Sequence, residues 1–249
     1  MTDESSPDIY EQMQLPEAAR IDERMAKHLF YQQPKFTRRD EALFTKDIER
    51  ITLRYALTPE TTHLAPYRDD VRDYGDVLVL EIALRSDARR QRIAELFWQY
   101  LPRPQALVFT MGESSERYAL ALALVRTNQA DRMRNTVEET LTMGDLAATD
   151  ALWAQLAYPT IPATDFYQLV RGAFDRMSVE KARRELGCQG LDGATARQAL
   201  ARDAALAQAV AELRAQMKKE LPFQRKAELN MKIKRIEQQR KQNHGGGRT

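Results

Sequence analysis

The stretch Val-Leu-Val-Leu-Glu-Ile-Ala-Leu, residues 77–84, decides the fold of this chain. All of its residues but one are apolar, and neither glycine nor proline interrupts it. A short apolar run of this kind is typical of a central β-strand that is covered on both faces. Such a strand requires neighbouring strands on both edges and helices over both faces.

Three further extended segments follow along the chain, at residues 105–111, 117–125 and 137–143. Residues 88–100 carry apolar side chains at helical spacing, which predicts a strand–helix–strand unit. The polar segment 112–116 then predicts a hairpin between the next two strands. These elements predict an α/β (mixed α+β) fold, with a small mixed sheet of about four strands and packed helices.

A helix is predicted ahead of the main strand. Apolar side chains recur there at spacings of four, three and four residues, at Phe44, Ile48, Ile51 and Tyr55. That stripe predicts one amphipathic helix, which begins after an N-cap at Thr37 and ends before Pro59. Further helices are predicted after the Thr-Asp pairs at residues 149–150 and 164–165.

The domain organisation follows from these patterns and from composition. We expect an N-terminal arm, a globular mixed-sheet domain, a polar glycine-containing linker, a helical segment and a flexible tail. Their respective boundaries are 1–36, 37–177, 178–202, 203–243 and 244–249.

The C-terminal part of the sequence has a heptad-like apolar seam on either side of Pro222. Its members are Leu206, Val210, Leu213, Met217, Leu229, Ile233 and Ile236. Spacings of four and three residues predict a helical hairpin or a coiled coil, because Pro222 suits the first turn of a new helix. The seam residues are therefore candidates for binding a partner protein or a second copy of this chain.

The charge of the chain is distributed unevenly. From Lys218 onward there are ten basic and three acidic residues, a net +7, whereas residues 1–217 hold 28 basic and 33 acidic residues, a net −5. The basic end predicts candidates for nucleic-acid binding: Arg225, Lys226, Lys232, Lys234, Arg235, Arg240 and Lys241. A solvated face of a helix is the alternative reading of the same charges.

Several classes of protein lack support in the sequence. The single cysteine, Cys188, argues against a disulfide framework or a multi-cysteine zinc site. The sequence has no nucleotide-binding glycine loop and no nucleophile elbow, so we expect no cofactor and favour a non-catalytic chain. The polar start and the short apolar run at 119–125 predict a cytoplasmic protein without membrane contact.

One enzymatic alternative remains open. Many DNA nucleases hold a divalent metal with an acidic residue near one strand and a Glu-x-Lys pair on the next. Asp76 and Glu81 could supply the carboxylates, but Ala83 occupies the lysine position and Arg85 lies two residues further on. A divergent metal-dependent nuclease that uses Asp76, Glu81 and Arg85 is therefore the alternative to an interaction protein.

Four stretches, taken together and in order, carry a resemblance to a known family. They are LPEAARID…AKHLFY (15–31), FTKDIERITLRYALTPETTHL (44–64), VLVLEIALR (77–85) and PFQRKAELNMKIKRIEQQ (222–239). The chain resembles, over essentially its whole length, the prokaryotic domain-of-unknown-function family numbered 4391. It departs from the family pattern at Ala26, where a proline is expected before the basic pair.

The resemblance implies a role by association. Members of that family are typically encoded near Swi/Snf-type helicases and adenine-specific DNA methyltransferases, in restriction-like and antiphage islands. It implies an accessory subunit of such a system and carries no catalytic residues over to this chain. Together with the apolar seam and the basic end, it leads to the hypothesis that the chain docks on a helicase or a DNA methyltransferase and that its C-terminal helices contact the partner, DNA or both. A self-standing nucleic-acid binder is a further hypothesis that the basic end leaves open.

Overall fold

A computed structural model describes residues 8–31, 36–86, 89–111, 117–127 and 135–244. The chain divides into two compact units, residues 1–174 and 175–249, and the division falls inside a long helix. Each unit is described by itself. The segment 112–116 predicted to form a hairpin, the first residue of the helix predicted at 88–100 and the predicted tail from residue 245 lie outside the described residues.

The first unit is a mixed α+β domain, which confirms the predicted class. Its helices are α1 (Ile9–Gln12), α2 (His28–Tyr31), α3 (Arg38–Lys46), α4 (Pro59–Thr62), α5 (Arg90–Tyr100), α6 (Ala151–Gln155) and the start of α7 (Phe166–Leu186). Its strands are β1 (Arg20–Arg24), β2 (Ile48–Leu57), β3 (Tyr67–Arg68), β4 (Asp73–Tyr74), β5 (Val77–Leu84), β6 (Gln105–Met111), β7 (Arg117–Thr127) and β8 (Asn135–Ala147). Two 3-10 turns lie at Glu17–Ala19 and Tyr158–Thr160.

The main sheet has six strands in the order β1-β2-β5-β6-β7-β8, rather than about four. Neighbouring strands are antiparallel, except that β5 and β6 are parallel and joined through α5. Strands β3 and β4 form a separate two-stranded ribbon. The predicted strand–helix–strand unit, the β6–β7 hairpin and the last strand are all present.

Strand β5 lies in the interior of this sheet, and all eight of its residues are buried. On one face, Val77 and Val79 line a narrow apolar cavity of about 80 Å³ together with Leu169 of α7. Helix α5 lies against β7 and β8. The prediction of a strand covered on both faces is confirmed.

The helix predicted from Thr37 to Pro59 is wrong beyond its first turns. Thr37 does cap α3, since its hydroxyl accepts the Asp40 N–H at 3.1 Å, but α3 ends at Lys46 and β2 begins at Ile48. Two β-bulges in β2 each add a residue that has no counterpart on β5. Each bulge breaks the two-residue alternation, so the buried side chains fall at spacings that imitate a helix.

The N-terminal arm is also part of the first unit. Residues Arg20–Arg24 form β1 and pair antiparallel with β2, although all five are exposed. Phe30 of α2 is buried, with its ring centroid 4.8 Å from that of Phe97 on α5 and 5.6 Å from that of Phe44 on α3. The segment therefore completes the sheet edge and the aromatic core.

The second unit consists of the end of α7, α8 (Gly193–Lys219) and α9 (Phe223–Asn243). The linker predicted at 178–202 is mostly helical: α7 continues to Leu186, and α8 begins at Gly193 after a connection of six residues. Ala182, Leu186 and Ala196 form a small buried core there, and the half-buried Cys188 packs against it. The glycines mark a turn between two helices, and the small residues on either side of that turn form helix contacts, not a flexible linker.

Candidate functional site: the Glu81 network and the helical hairpin

Glu81 lies on the central strand β5, where its carboxylate is almost fully buried. The Tyr10 hydroxyl of α1 donates to Glu81 Oε2 at 2.9 Å, and Arg54 Nε of β2 donates to the same oxygen at 3.1 Å. Arg50 Nη2 lies 4.0 Å from the other carboxylate oxygen. A buried carboxylate requires partners of this kind, because an isolated charge is costly away from water.

The network continues outward from Arg54 to the edge strand. Arg54 Nη1 donates to Asp22 Oδ1 at 2.7 Å, and its guanidinium carbon lies 4.9 Å from the centroid of the Tyr10 ring. Asp22 has a φ of 52° within an irregular stretch of β1, which is uncommon for a residue other than glycine. Burial, followed by the charge of Glu81, raises the pKa of the Tyr10 hydroxyl well above its ordinary value.

The three residues of the nuclease hypothesis do not converge. Asp76 precedes β5 and Glu81 is the fifth residue of that strand, so a rise of about 3.3 Å per residue puts them roughly 16 Å apart along the chain. Asp76 faces Arg103 at 2.8 Å, and Arg85 donates to the carbonyls of Thr45 and Ile48 beside the end of α3. Within the described ranges, no group of three or more His, Cys, Asp or Glu side chains is arranged to hold a metal.

The second candidate site is the hairpin of α8 and α9. The predicted seam is present: Val210, Leu229 and Ile233 are buried, and Leu206, Leu213, Met217 and Ile236 are half-buried. Helices α8 and α9 pack against each other, so the seam is used within the chain. Binding of a partner or of a second copy by these seven residues stays a prediction.

Ion pairs hold the two helices of the hairpin in an antiparallel arrangement. Arg240 of α9 donates to both carboxylate oxygens of Asp203 on α8, at 2.6 and 2.8 Å, and His244 Nε2 lies 2.8 Å from the same residue. Arg214 and Glu237 form a second pair at 2.6 Å. The hydrogen bond from Arg240 is the largest cause of the lowered pKa of Asp203. Arg240 therefore has a structural contact that the sequence did not indicate.

The other basic candidates on α9 are exposed. At 3.6 residues per turn they flank the apolar seam on its two sides. Arg225, Lys232 and Arg235 lie along one side, and Lys226, Lys234 and Lys241 lie along the other. The structure thus places six basic side chains on the solvent side of one helix about 30 Å long.

Sequence reasoning missed the apolar turn between the two helices. Leu221 is 91% exposed and Phe223 is 86% exposed, next to Pro222 at the N-cap of α9. Neither residue belongs to the seam, so the spacing of apolar residues does not reveal them. Their signal was two large apolar residues placed around a helix-breaking proline.

Fold and site together define a mixed-sheet domain with an appended helical hairpin of basic outer surface. The chain belongs to the family described as Domain of unknown function (DUF4391), whose model matches residues 13–239. Comparisons with curated proteins and with solved structures gave no match. None of the helices in the described part of the chain is long and apolar enough to cross a membrane.

Proposed function

We propose that this protein is a non-catalytic accessory subunit of a prokaryotic DNA-processing or antiphage system. It docks on a helicase or a DNA methyltransferase and contacts DNA through the outer surface of α9. One observation carries the DNA contact: α9 closes its apolar seam on α8 while six of its basic side chains face solvent. The docking partner rests on the family resemblance alone.

The state of Glu81 supports a non-catalytic role. A carboxylate that serves a metal needs free lone pairs and neighbouring ligands. In this chain Tyr10 and Arg54 share one oxygen of Glu81, and Asp76, which precedes β5, pairs with Arg103 instead. A structural carboxylate is the simpler account of that geometry.

The exposed charge suits a polyanion. Lysine and arginine side chains that neutralise phosphates release counterions, which gives binding that weakens steeply with salt. The basic residues outnumber the acidic ones on α9 by seven to two, and one of the acids, Glu237, already pairs with Arg214 of α8. An extended basic helix matches a nucleic-acid backbone better than it matches a compact acidic pocket.

A salt titration with a matched variant tests the DNA contact. Lys232, Lys234 and Arg235 are replaced together by glutamine, and the control replaces the exposed Arg38, Arg39 and Lys46 of α3 in the same way. Fluorescence anisotropy with labelled DNA should show weaker binding for the α9 variant. Its plot of log affinity against log salt should be shallower by about 2 to 3.

The two variants remove the same formal charge, so a general electrostatic effect would weaken both equally. Equal binding curves for the wild type and the α9 variant would refute the DNA contact. For the docking partner, the tagged protein is expressed together with the genes that neighbour its own and purified. Absence of both a helicase and a DNA methyltransferase from the purified complex would remove the accessory-subunit assignment.

A further inference from the structure

The turn between α8 and α9 exposes two large apolar side chains at one end of the hairpin. Leu221 and Phe223 are the two most exposed large hydrophobic residues in the described part of the chain. Phe223 opens α9 six residues before the first seam residue, Leu229, which turns its ring about 120° away from the seam. The ring is therefore directed outward by helix geometry and does not cap the hairpin interior.

Basic side chains surround this apolar pair. Lys218 and Lys219 end α8, and Arg225 and Lys226 lie in the first turn of α9. Glu220 is the only acidic residue between Lys218 and Lys226. The hairpin tip, residues 218–226, therefore combines an exposed aromatic ring with a net charge of +3.

A ligand for such a tip needs negative charge next to an uncovered apolar face. Single-stranded nucleic acid offers both, because its phosphates alternate with bases whose flat faces stack on aromatic rings. In a duplex the base faces are already stacked on one another, so only the phosphates remain for the tip. The basic surface of α9 continues from the tip along the helix, which provides the path for the backbone of a strand.

We propose that the hairpin tip binds unpaired nucleotides, with a base stacked on Phe223, Leu221 beside it, and the four basic residues on the flanking phosphates. This inference rests on the proposed DNA contact and assigns it a preference for single strands or for unpaired ends. The α9 surface supplies affinity for any phosphate backbone, and the tip supplies the discrimination between strand forms.

The test compares a fluorescein-labelled oligothymidine with a blunt duplex of the same length. Phe223→Ala should weaken single-strand binding roughly fivefold or more and leave duplex binding within about twofold. Met231→Ala is the matched control, because Met231 is 65% exposed on the outer surface of α9 away from the tip. That control should change neither affinity.

A second variant reports stacking directly. Phe223→Trp should keep single-strand affinity, and its exposed indole should be quenched by oligothymidine and much less by the duplex. The native Trp98 and Trp153 are fully buried and supply the constant background.

The outcomes separate the two proposals. If the wild type binds both DNA forms and Phe223→Ala changes neither affinity, the tip assignment is overturned but the DNA contact stands. If the wild type binds neither form at low salt, both the tip assignment and the DNA contact are overturned. The tip would instead be assigned to a lipid surface if the protein is retained on anionic phospholipid vesicles and Phe223→Ala abolishes that retention without affecting DNA binding. Loss of affinity in the Met231→Ala control equal to that of Phe223→Ala would also overturn the proposal.

Discussion

Arg54 and Glu81 meet across two neighbouring strands because Arg54 is the extra residue of a β-bulge. Leu53 pairs with Leu80 and Tyr55 pairs with Val79, which leaves Arg54 outside the ladder. Bulges commonly redirect a side chain, and here Arg54 Nε reaches Glu81 Oε2 at 3.1 Å. The β-bulge at Arg54, which contributes to the helix-like spacing of the apolar residues in β2, thus also brings a positive charge to the buried carboxylate of Glu81.

Removal of one member of this network should be strongly destabilising. Glu81→Ala leaves the Arg54 charge and the Tyr10 hydroxyl without their shared acceptor, which should cost about 3 to 5 kcal/mol. Glu81→Gln keeps an acceptor for Tyr10 and should cost less. Urea unfolding measures both changes in the free energy of unfolding.

A double-mutant cycle isolates the contact itself. Arg54→Ala combined with Glu81→Ala should cost clearly less than the sum of the single changes, because each single change already removes the contact between the two side chains. Additive costs would contradict a direct ion pair between Arg54 and Glu81.

The buried Tyr74 should make stability fall at alkaline pH. Its hydroxyl donates to the Val125 carbonyl at 3.0 Å and accepts the Val125 N–H at 2.9 Å, and burial raises its pKa to about 12. The unfolded chain releases this proton near pH 10 while the folded chain retains it, so stability is complete below pH 10 and falls between 10 and 12. The loss should be about 2 to 3 kcal/mol at pH 12.

Tyr74→Phe removes the titrating group and provides the comparison. The variant should be less stable than the wild type at pH 8, because two buried hydrogen bonds are lost, and the difference should shrink as the pH rises from 10 to 12. A difference between the two proteins that stays constant over this range would contradict the role of Tyr74. Denaturant unfolding at each pH provides the measurement.

Local sequence patterns were sufficient to predict the secondary structure where that structure is regular. Strand β5 is buried on both faces, so its apolar run is continuous, and within each of α8 and α9 the seam follows a spacing of three and four residues. The cap at Thr37 uses only a side chain and a backbone group three residues away. In each case the physical cause lies within a few residues of the signal.

The rest of the fold depends on contacts between distant residues. Strand β1 reads Arg-Ile-Asp-Glu-Arg and none of its residues is buried, so no apolar pattern marks it, and only pairing with β2 makes it a strand. Tyr10 and Glu81 are 71 residues apart in sequence. No window of sequence contains both, and the bulges that bring the network together carry no local signature of their own.

The seam of the hairpin should contribute most of its stability. Ile233 is buried, so Ile233→Ala should lower the stability of the second unit by about 2 to 5 kcal/mol. Met231→Ala on the same helix should change it by less than about 0.5 kcal/mol, since that side chain is exposed. Amide hydrogen exchange along α9 provides the measurement, and equal effects of the two changes would contradict the seam.

Gly172 in α7 is a position where the usual effect of alanine should be reversed. Replacing glycine by alanine inside a helix normally stabilises a protein by roughly 0.5 to 1 kcal/mol. At this site a Cβ atom would lie 2.6 Å from Cγ2 of Ile161, well inside van der Waals contact. The overlap involves a short branched side chain that is itself buried, so Gly172→Ala should destabilise by about 1 to 3 kcal/mol.

The close approach of Ile161 to Gly172 also predicts that a second substitution will relieve the destabilisation. Ile161→Ala removes the Cγ2 atom, and by itself it should be destabilising because it leaves a cavity beside α7. In that background Gly172→Ala should cost much less, or become stabilising, because the added methyl group enters the vacated space. Urea unfolding of the four proteins gives the coupling between the two sites. A cost of Gly172→Ala that is the same with isoleucine and with alanine at position 161 would show that the close approach is not what requires the glycine.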